Sequence, residues 1–190
     1  MSTLICEIPL PSANARAKRL DEKTCTSHID DLPQNGTYIL IITVSSPVTI
    51  NVGGLGVRTF PKGHFSYTGS ALGKGSTNLS NRVSRHLRDE KANRWHIDFL
   101  LGAKSSQVEA VFIIPSEKRL ECELNQLLRN RLKAKVVVPS FGASDCHKRC
   151  GSHLLFFPKI MRKASLIGDI AKTLSLTDNC FSIYLMSTHS

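Results

Sequence analysis

The sequence lacks the features that mark membrane-bound and secreted proteins. Its 190 residues contain no apolar run near the ~20 residues of a membrane-spanning helix. The N-terminal residues have no basic segment and no long apolar core, so we expect no secretory signal. The 6 cysteines are scattered, without the dense spacing of a secreted disulfide framework. We therefore expect no membrane partner and a reducing intracellular compartment, either the cytoplasm or the nucleoid or nucleus.

Acidic residues are also scarce. The chain has 15 Asp and Glu against 25 Lys and Arg, a formal net charge of +10. Such an excess favours an anionic partner, most commonly nucleic acid. Segment 72–104 has seven Lys or Arg against three Asp or Glu, and segment 117–149 has eight against four. These two segments either follow a phosphate backbone or are ordinary solvated helix surfaces.

Short strands separated by Gly and Pro turns dominate the first half of the chain. Segment 37–44 is almost entirely apolar, which is typical of a strand buried on both faces. Segment 64–68 alternates, and the shorter segments 48–52 and 57–60 lie between turns. Two leucine-rich helical patterns follow. The sequence therefore predicts an α+β fold, with a small, mainly antiparallel sheet flanked by helices.

Three parts are expected along the chain. Residues 1–35 have no sustained period and are interpreted as an irregular N-terminal extension. Residues 36–157 contain the strand and helix patterns and form the folded domain. Residues 158–190 are interpreted as an irregular C-terminal tail with one helix near residues 160–174.

The helix after the glycine-bearing loop carries two arginines and a histidine. At ~100° per residue, His86 lies almost on the apolar stripe and Arg82 lies ~60° to one side of it. Arg85 lies further round, toward solvent. The stripe consists of Leu79, Val83 and Leu87.

Several short motifs follow one another in a characteristic order. Gly36-Thr-Tyr38, Tyr67-Thr-Gly69, Arg82-x-x-x-His86 and a glutamate on a later helix together resemble the GIY-YIG nuclease superfamily. The chain departs from the pattern at Thr37 and in a longer spacer between the tyrosines, with an inserted hairpin.

Roughly residues 36–157 are similar to an uncharacterised branch of that superfamily, which occurs alone or fused to an endonuclease III-type glycosylase. The segments that carry this resemblance are Tyr67–Gly73, Arg85–Arg88, Trp95–Asp98, Glu121–Glu123, Phe141–Cys146 and Ser152–Leu154.

The resemblance implies a metal-dependent endonuclease that hydrolyses phosphodiester bonds in nucleic acid. Tyr38 would activate water with Tyr67 as its partner, Arg82 would clamp the phosphate, His86 would support them, and a glutamate would hold Mg²⁺ or Mn²⁺. DNA is favoured over RNA, in repair or processing, with a DNA-repair glycosylase as a protein partner. The alternative is a non-catalytic nucleic-acid-binding or repair-accessory module, in which the tyrosines are ordinary strand aromatics.

Two glutamates compete for the metal-binding role. On the later helix, Glu121 lies about 60° from the centre of the leucine stripe and Glu123 about 100° away on the other side. The family spacing, with an apolar residue three positions later, also fits Glu121 followed by Leu124. We predict Glu121 as the metal ligand, and the alternative is a solvated helix charge.

A second group of metal-ligating residue types lies near residue 150. Cys146, Cys150 and His153 offer the soft sulfur and nitrogen donors that Zn²⁺ prefers. Their spacing is not that of paired Cys-x-x-Cys knuckles, so buried free cysteines are the alternative. A fourth ligand would come from Cys122, His147 or His96.

Further residues are candidates for the border of the site. Asp98 either orients His96 at the site, or both residues fix a turn. Three cations are expected to contact nucleic acid, namely Lys74, Arg85 and Arg88.

Overall fold

The most apolar segment of the sequence forms the central strand. The computed structural model describes residues 5–10, 32–88, 90–144, 146, 148, 150–160 and 162–186. In it, strand β2 spans Gly36–Val44 and is buried at every position except Thr43. It lies between β5 (Gly63–Ala71) and β6 (Ser106–Pro115) and pairs with both in antiparallel register. Both of its edges are therefore satisfied by backbone hydrogen bonds.

The main sheet has six described strands, and all of their pairings are antiparallel. The three further strands are β1 (Ile5–Leu10), β7 (Leu154–Phe156) and β8 (Phe181–Met186). The order across the sheet is β1-β8-β6-β2-β5-β7, so β1 and β7 are its edges. A separate hairpin of β3 (Val48–Asn51) and β4 (Val57–Phe60) lies between β2 and β5 in the chain. The predicted α+β fold with a mainly antiparallel sheet is confirmed, and the hairpin matches the predicted insertion.

Helices cover both faces of the sheet. Because side chains alternate along a strand, β2 directs Tyr38 to one face and Ile39 to the other. The first face packs against α1 (Leu79–Leu87) and α2 (His96–Leu101), and the second against α3 (Glu121–Arg131) and α4 (Lys163–Leu174). None of the described helices is long and apolar enough to cross a membrane.

Both ends of the chain contribute strands, which differs from the predicted irregular extensions. Strand β8 lies between β1 and β6, with Ile183 opposite Ile8 on one side and Phe112 on the other. The predicted C-terminal helix is present as α4. β1 and β8 were not predicted because their pairing partners are distant in sequence, and no local turn in the sequence indicates such strands. Within the predicted extensions, residues 1–4, 11–31, 161 and 187–190 lie outside the described residues.

Candidate active site

Three buried side chains form a line from β2 through α1 to α2. The Tyr38 hydroxyl lies 2.9 Å from His86 Nε2. The other ring nitrogen, Nδ1, lies 3.6 Å from Asp98 Oδ1. Tyr38, His86 and Asp98 are 1%, 2% and 0% exposed. The histidine is buried because it lies beside Val83 on the apolar stripe of α1, as its helical position predicts.

The surroundings set the protonation of this line. Burial lowers the pKa of His86, although Asp98 opposes the shift. Burial would raise the pKa of Asp98, but the nearby His86 ring, hydrogen bonds from two backbone N–H groups and the Arg85 guanidinium hold it well below its usual range. Burial and the neighbouring Tyr67 raise the pKa of Tyr38 well above its usual value, against Arg82. A neutral His86 with its Nδ1 proton toward Asp98 therefore accepts a hydrogen bond from the Tyr38 hydroxyl.

A glycine allows the Tyr38 ring to lie against the neighbouring strand. Gly69 is the register partner of Tyr38, and a Cβ at this position would lie 2.5 Å from the Tyr38 hydroxyl oxygen. The Tyr67 ring lies 6.5 Å from the Tyr38 ring and 6.3 Å from the His86 ring, between centroids. The structure thus brings both predicted tyrosines and His86 into one aromatic group.

Arg82 and Glu121 reach the same residue from opposite layers of the fold. An Arg82 Nη1 donates to the Ser70 carbonyl oxygen at 2.7 Å. The Ser70 hydroxyl donates to the Glu121 carboxylate. Ser70 follows Gly69, the register partner of Tyr38, in β5, so its backbone carbonyl serves Arg82 while its side chain serves Glu121 on the other face of the sheet. Ser70 was not among the predicted site residues, because its contacts depend on its register with Thr37 in β2.

A chain of hydrogen bonds ties the start of α3 to the two strands. Leu120 N–H donates to Thr37 Oγ1 at 3.3 Å, and Thr37 Oγ1 lies 2.7 Å from Ser70 Oγ. Because a hydroxyl has one hydrogen, and that of Ser70 is given to Glu121, Thr37 is the donor to Ser70. Thr37, at which the sequence departs from the family motif, thus helps to position Glu121.

The two candidate glutamates have different surroundings. Glu121 is the first residue of α3 and is half-buried, whereas Glu123 is exposed. These are the positions that the helical geometry predicts. A half-buried carboxylate offers the hard oxygen ligands that suit Mg²⁺ and Mn²⁺. The metal-binding role itself stays a prediction.

Arg85 does not face solvent, and that prediction is wrong. Its side chain is 19% exposed, and its Nη2 lies 2.7 Å from Asp98 Oδ2 and 2.7 Å from the Ala92 carbonyl oxygen. The guanidinium carbons of Arg82 and Arg85 lie 4.7 and 4.8 Å from the Trp95 ring centroid, within cation–π distance. The prediction failed because the segment before α2 folds back over this side of α1.

Asp98 and His96, both in α2, have different hydrogen-bond partners. Asp98 Oδ2 accepts two backbone N–H bonds from the residues before α2, at 2.9 and 3.0 Å, which fixes that turn. His96 Nδ1 instead accepts the Gly142 N–H at 3.0 Å. The hypothesis that Asp98 orients His96 is therefore wrong, because the carboxylate faces His86 and Arg85.

Two of the three cations that were expected to contact nucleic acid are exposed. Lys74 precedes α1 and Arg88 follows its last turn, and both side chains are open to solvent. Arg85, the third, is held by Asp98. Lys74 and Arg88 therefore remain available to phosphate groups at the two ends of α1.

The predicted zinc ligands lie together. Cys146, Cys150 and His153 are joined by Cys122 of α3, and their ligand atoms all lie within 4.8 Å of one another. We call these four residues the Cys3His cluster. Of the other proposed fourth ligands, His96 is bound elsewhere and His147 lies outside the described residues. The Cys3His cluster is a group that could hold a metal ion.

Hydrogen bonding within the Cys3His cluster favours a thiolate. Burial raises the pKa of Cys146, but hydrogen bonds from the backbone and side chain of Cys150, and from Cys122, outweigh burial and bring it to about 6. Burial and the neighbouring thiols raise the pKa of Cys122. These hydrogen bonds therefore favour the thiolate form of Cys146 within the cluster.

Comparison with known proteins identifies a family. Neither the curated proteins nor the solved structures give a significant match. A family model described as "Domain of unknown function DUF123" matches residues 37–176, which include both tyrosine strands, α1, α3 and the Cys3His cluster. The chain therefore belongs to the DUF123 family, which is GIY-YIG-like.

Proposed function

We propose that this chain is a metal-dependent endonuclease that hydrolyses phosphodiester bonds in nucleic acid. The observation that carries the proposal is the meeting of Arg82 and Glu121 at Ser70, one residue from the register partner of Tyr38. Phosphodiester cleavage needs an activated water, neutralisation of the phosphate charge and stabilisation of the leaving oxygen. These residues offer a group for each need.

Glu121 would hold the metal ion. Mg²⁺ is commonly bound by one or two protein carboxylates, and its other ligands are water and substrate phosphate. A bound Mg²⁺ or Mn²⁺ supplies Lewis-acid stabilisation of the phosphoryl oxygens. The Ser70 hydroxyl orients the carboxylate, and the half-buried position of Glu121 limits its alternative rotamers.

Arg82 would clamp the phosphate. Its guanidinium is fixed by the Ser70 carbonyl oxygen and by the Trp95 ring, so little side-chain entropy remains to be lost on binding. A planar guanidinium can give two parallel N–H bonds to phosphate oxygens. These bonds strengthen as negative charge grows in the transition state.

The Tyr38–His86–Asp98 line would move the proton of the attacking water. A phenol with a raised pKa is a poor base by itself. In the proposed step, the Tyr38 oxygen accepts the proton of the water while the Tyr38 proton passes to His86 Nε2. The resulting imidazolium is stabilised by the ionised Asp98, 3.6 Å from Nδ1. The three residues together gain one proton, so their net charge rises by one.

We propose DNA as the substrate, in repair or processing, inside the cell. The excess of basic residues and the resemblance to the glycosylase-fused branch support this choice, and they make a DNA-repair glycosylase the proposed protein partner. For the Cys3His cluster we propose Zn²⁺, the ion that three thiolates and an imidazole favour.

A cleavage assay with metal control tests the proposal. With Mg²⁺ or Mn²⁺, purified protein is expected to nick branched, flapped or single-stranded DNA, and EDTA should abolish cutting. Tyr38→Phe keeps the ring but removes the proton path, so cleavage should fall about 10²-fold or more while binding is retained. Cutting that continues undiminished in EDTA would contradict the metal-dependent mechanism.

A binding assay separates the nuclease from the accessory module. DNA affinity should fall steeply between 50 and 200 mM salt, roughly 10-fold or more, through release of counterions. Binding with this salt dependence but without any cutting would support the non-catalytic module. A flat salt dependence would count against both forms of the proposal.

A further inference from the structure

The Cys3His cluster joins two segments that both border the candidate active site. Cys122 is the second residue of α3 and directly follows Glu121. The other three members, Cys146, Cys150 and His153, lie between Phe141 and the start of β7 at Leu154. Whatever holds the Cys3His cluster together therefore also holds the start of α3 against this segment.

The distances within the Cys3His cluster are close to those of a tetrahedral zinc site. Cys122 Sγ lies 3.3 Å from Cys146 Sγ and 3.5 Å from His153 Nε2, and Cys146 Sγ lies 3.2 Å from Cys150 Sγ. Zn–S bonds of about 2.3 Å and Zn–N bonds of about 2.0 Å at tetrahedral angles separate ligand atoms by roughly 3.5–3.8 Å. The remaining pairs of ligand atoms lie within 4.8 Å of each other, so small adjustments of the four side chains would bring all of them to these separations.

A disulfide is a poorer explanation of the same cysteines. The sulfur separations of 3.2 and 3.3 Å are well beyond the ~2.05 Å of an S–S bond. Three cysteines cannot all pair, so a disulfide would leave one thiol and a buried imidazole without a role. A metal ion uses all four groups.

Side chains around the Cys3His cluster support the ligands, as the outer partners of metal sites commonly do. The Gln126 amide N–H lies 3.8 Å from Cys150 Sγ, a hydrogen bond to sulfur. The buried Asn125 donates to the Ser152 carbonyl oxygen at 2.7 Å. One face of α3 therefore packs along the segment that contains Cys146, Cys150 and His153.

That segment continues to the tyrosines. The carbonyl oxygen of His153 accepts the Thr68 N–H of β5 at 3.1 Å, and its N–H donates to the Phe141 carbonyl oxygen at 2.8 Å. Gly142 has a φ of +68°, and a Cβ there would lie 2.7 Å from the Tyr67 ring. The Cys3His cluster therefore connects Glu121 on one side with Tyr67 on the other.

Besides the Cys3His cluster, the described contacts that hold the start of α3 are the hydrogen bond from Ser70 to Glu121 and the 3.3 Å bond from Leu120 N–H to Thr37. The N-cap residue, Leu120, makes no side-chain capping bond. Helix ends without such caps open readily, because their first N–H groups lack partners.

We propose that the Cys3His cluster is a structural zinc site that fixes the first turn of α3 and thereby holds Glu121 in place. Loss of zinc, or oxidation of its cysteines, frees that turn. The site and the ordering of α3 stand independently of catalysis. Only the consequence for metal binding at Glu121 rests on the proposed endonuclease function.

The first test measures the zinc content of the protein and the identity of the zinc ligands. Protein purified under reducing conditions should contain one zinc per chain by elemental analysis, and cobalt substitution should give the thiolate charge-transfer bands of a tetrahedral site. Cys122→Ser should lose both signals, and the exposed Cys180→Ser is the matched control that should keep them. Gln126→Ala, which leaves every ligand in place, should weaken zinc affinity about 10–100-fold. Zinc-free protein, or a disulfide between cluster cysteines in mass spectra, would overturn the proposal.

The second test measures the effect on α3 by hydrogen exchange. The Leu124 N–H bond to the Leu120 carbonyl oxygen closes the first turn of α3. In the zinc-depleted wild-type chain and in Gln126→Ala, this amide should exchange about tenfold faster or more, and α1 should not change. Unchanged exchange in zinc-depleted protein would refute the structural role. Zinc binding and protection of α3 in a chain that cuts no DNA would instead disprove only the endonuclease function.

The third test asks whether zinc in the Cys3His cluster affects the binding of the catalytic metal ion. Zinc depletion should raise the Mn²⁺ concentration needed for half-maximal cleavage, and adding Zn²⁺ back should restore it. Cys180→Ser should respond to depletion as the wild type does. If cleavage and its Mn²⁺ dependence are the same with and without zinc, the link to Glu121 is wrong although the zinc site remains.

Discussion

Arg82 and Arg85 lie three residues apart on α1, carry the same charge and contact the same tryptophan. Their other partners differ. Arg82 is bound to a backbone carbonyl oxygen next to the proposed phosphate position, whereas Arg85 neutralises the buried Asp98. The proposed phosphate-binding role therefore falls to Arg82, and Arg85 has a structural role.

This difference gives the first prediction. Arg82→Ala should lower cleavage about 10²-fold or more with little loss of stability, because a charge that stabilises the transition state is removed. Arg85→Ala should lower the free energy of unfolding by about 2 kcal/mol, because a hydrogen bond to a buried charge is lost.

Cleavage rates and chemical denaturation of both variants measure the two effects. Arg82→Lys should retain little of the cleavage rate, since the point charge of an ammonium cannot form the two parallel hydrogen bonds of a guanidinium. A mild Arg82→Ala beside a stable but inactive Arg85→Ala would show that the roles are reversed.

The His86 titration gives the second prediction. In the proposed mechanism neutral His86 is the active form, so the rate should fall as pH drops through its pKa, which burial lowers from the usual 6.5. Asp98 raises this pKa against burial, so Asp98→Asn should move the acid limb to still lower pH, besides lowering the rate. The pKa of Asp98 lies too low for the carboxylate to titrate in this range.

The pH–rate profile of the cleavage step measures this shift. The exposed Asp178→Asn is the control, and its acid limb should coincide with that of the wild type. A lower rate with an unmoved limb in Asp98→Asn would mean that Asp98 only supports the fold.

At the scale of elements, the site depends on how closely β2 and β5 approach. Their register places Tyr38 over Gly69 and Thr37 beside Ser70, so alternate residues of the same two strands serve the two layers of helices. Tyr38 thereby meets α1, and Thr37 meets the start of α3. One strand pair thus positions both the proposed proton path and the proposed metal ligand.

Gly69→Ala tests this arrangement. The added Cβ would lie 2.5 Å from the Tyr38 oxygen, so the ring must move away from His86, and we expect a loss of about 1–3 kcal/mol in the free energy of unfolding. Cleavage should fall as well. Gly54→Ala, where nothing lies within 4 Å of the new Cβ, should leave both unchanged. Equal stability of the two variants would contradict the close approach.

At the scale of the whole molecule, the sheet is completed by strands from both ends of the chain. Strand β8 pairs with β6 and β1, and Ile183 is 3% exposed in the core beneath α4. An uncovered β6 edge would present unpaired backbone groups next to the central strand. The C-terminal residues therefore belong to the fold that supports the site.

Truncation of a β8 side chain tests this statement. Ile183→Ala should lower the free energy of unfolding by about 2–4 kcal/mol, because a buried side chain leaves a cavity. Leu176→Ala is the matched control, since that leucine is 69% exposed and should matter little. Thermal or denaturant unfolding measures both. Equal, small effects would mean that β8 is only loosely associated with the sheet.

Local patterns in the sequence predicted the parts of the molecule that depend on them. The burial of β2, the placement of His86 on the stripe of α1 and the half-buried position of Glu121 follow from side-chain period alone. Arg85 was misplaced, because the period of one helix does not show which segment folds over it. The same reason explains why Asp98 was assigned to its sequence neighbour His96 rather than to His86.

Contacts between segments that are distant in the chain could not be predicted from local sequence patterns. Cys122 was one of three candidates for the fourth cluster ligand, and only the packing of α3 distinguishes it. Ser70 has no motif of its own and gains its role from strand register. β1 and β8 gain theirs from pairing across most of the chain length.

The central claim is that Glu121 holds the metal ion of a phosphodiesterase site, and its neighbour Glu123 provides the matched control. Both are glutamates in the first turn of α3, but one is bonded to Ser70 and the other is exposed. The most direct measurement is single-turnover cleavage of a flapped DNA by Glu121→Gln and Glu123→Gln over a Mg²⁺ titration. We predict that Glu121→Gln binds the DNA but does not cut it at any Mg²⁺ concentration, and that Glu123→Gln follows the wild type. Wild-type cleavage by Glu121→Gln, or equal losses in the two variants, would contradict the claim.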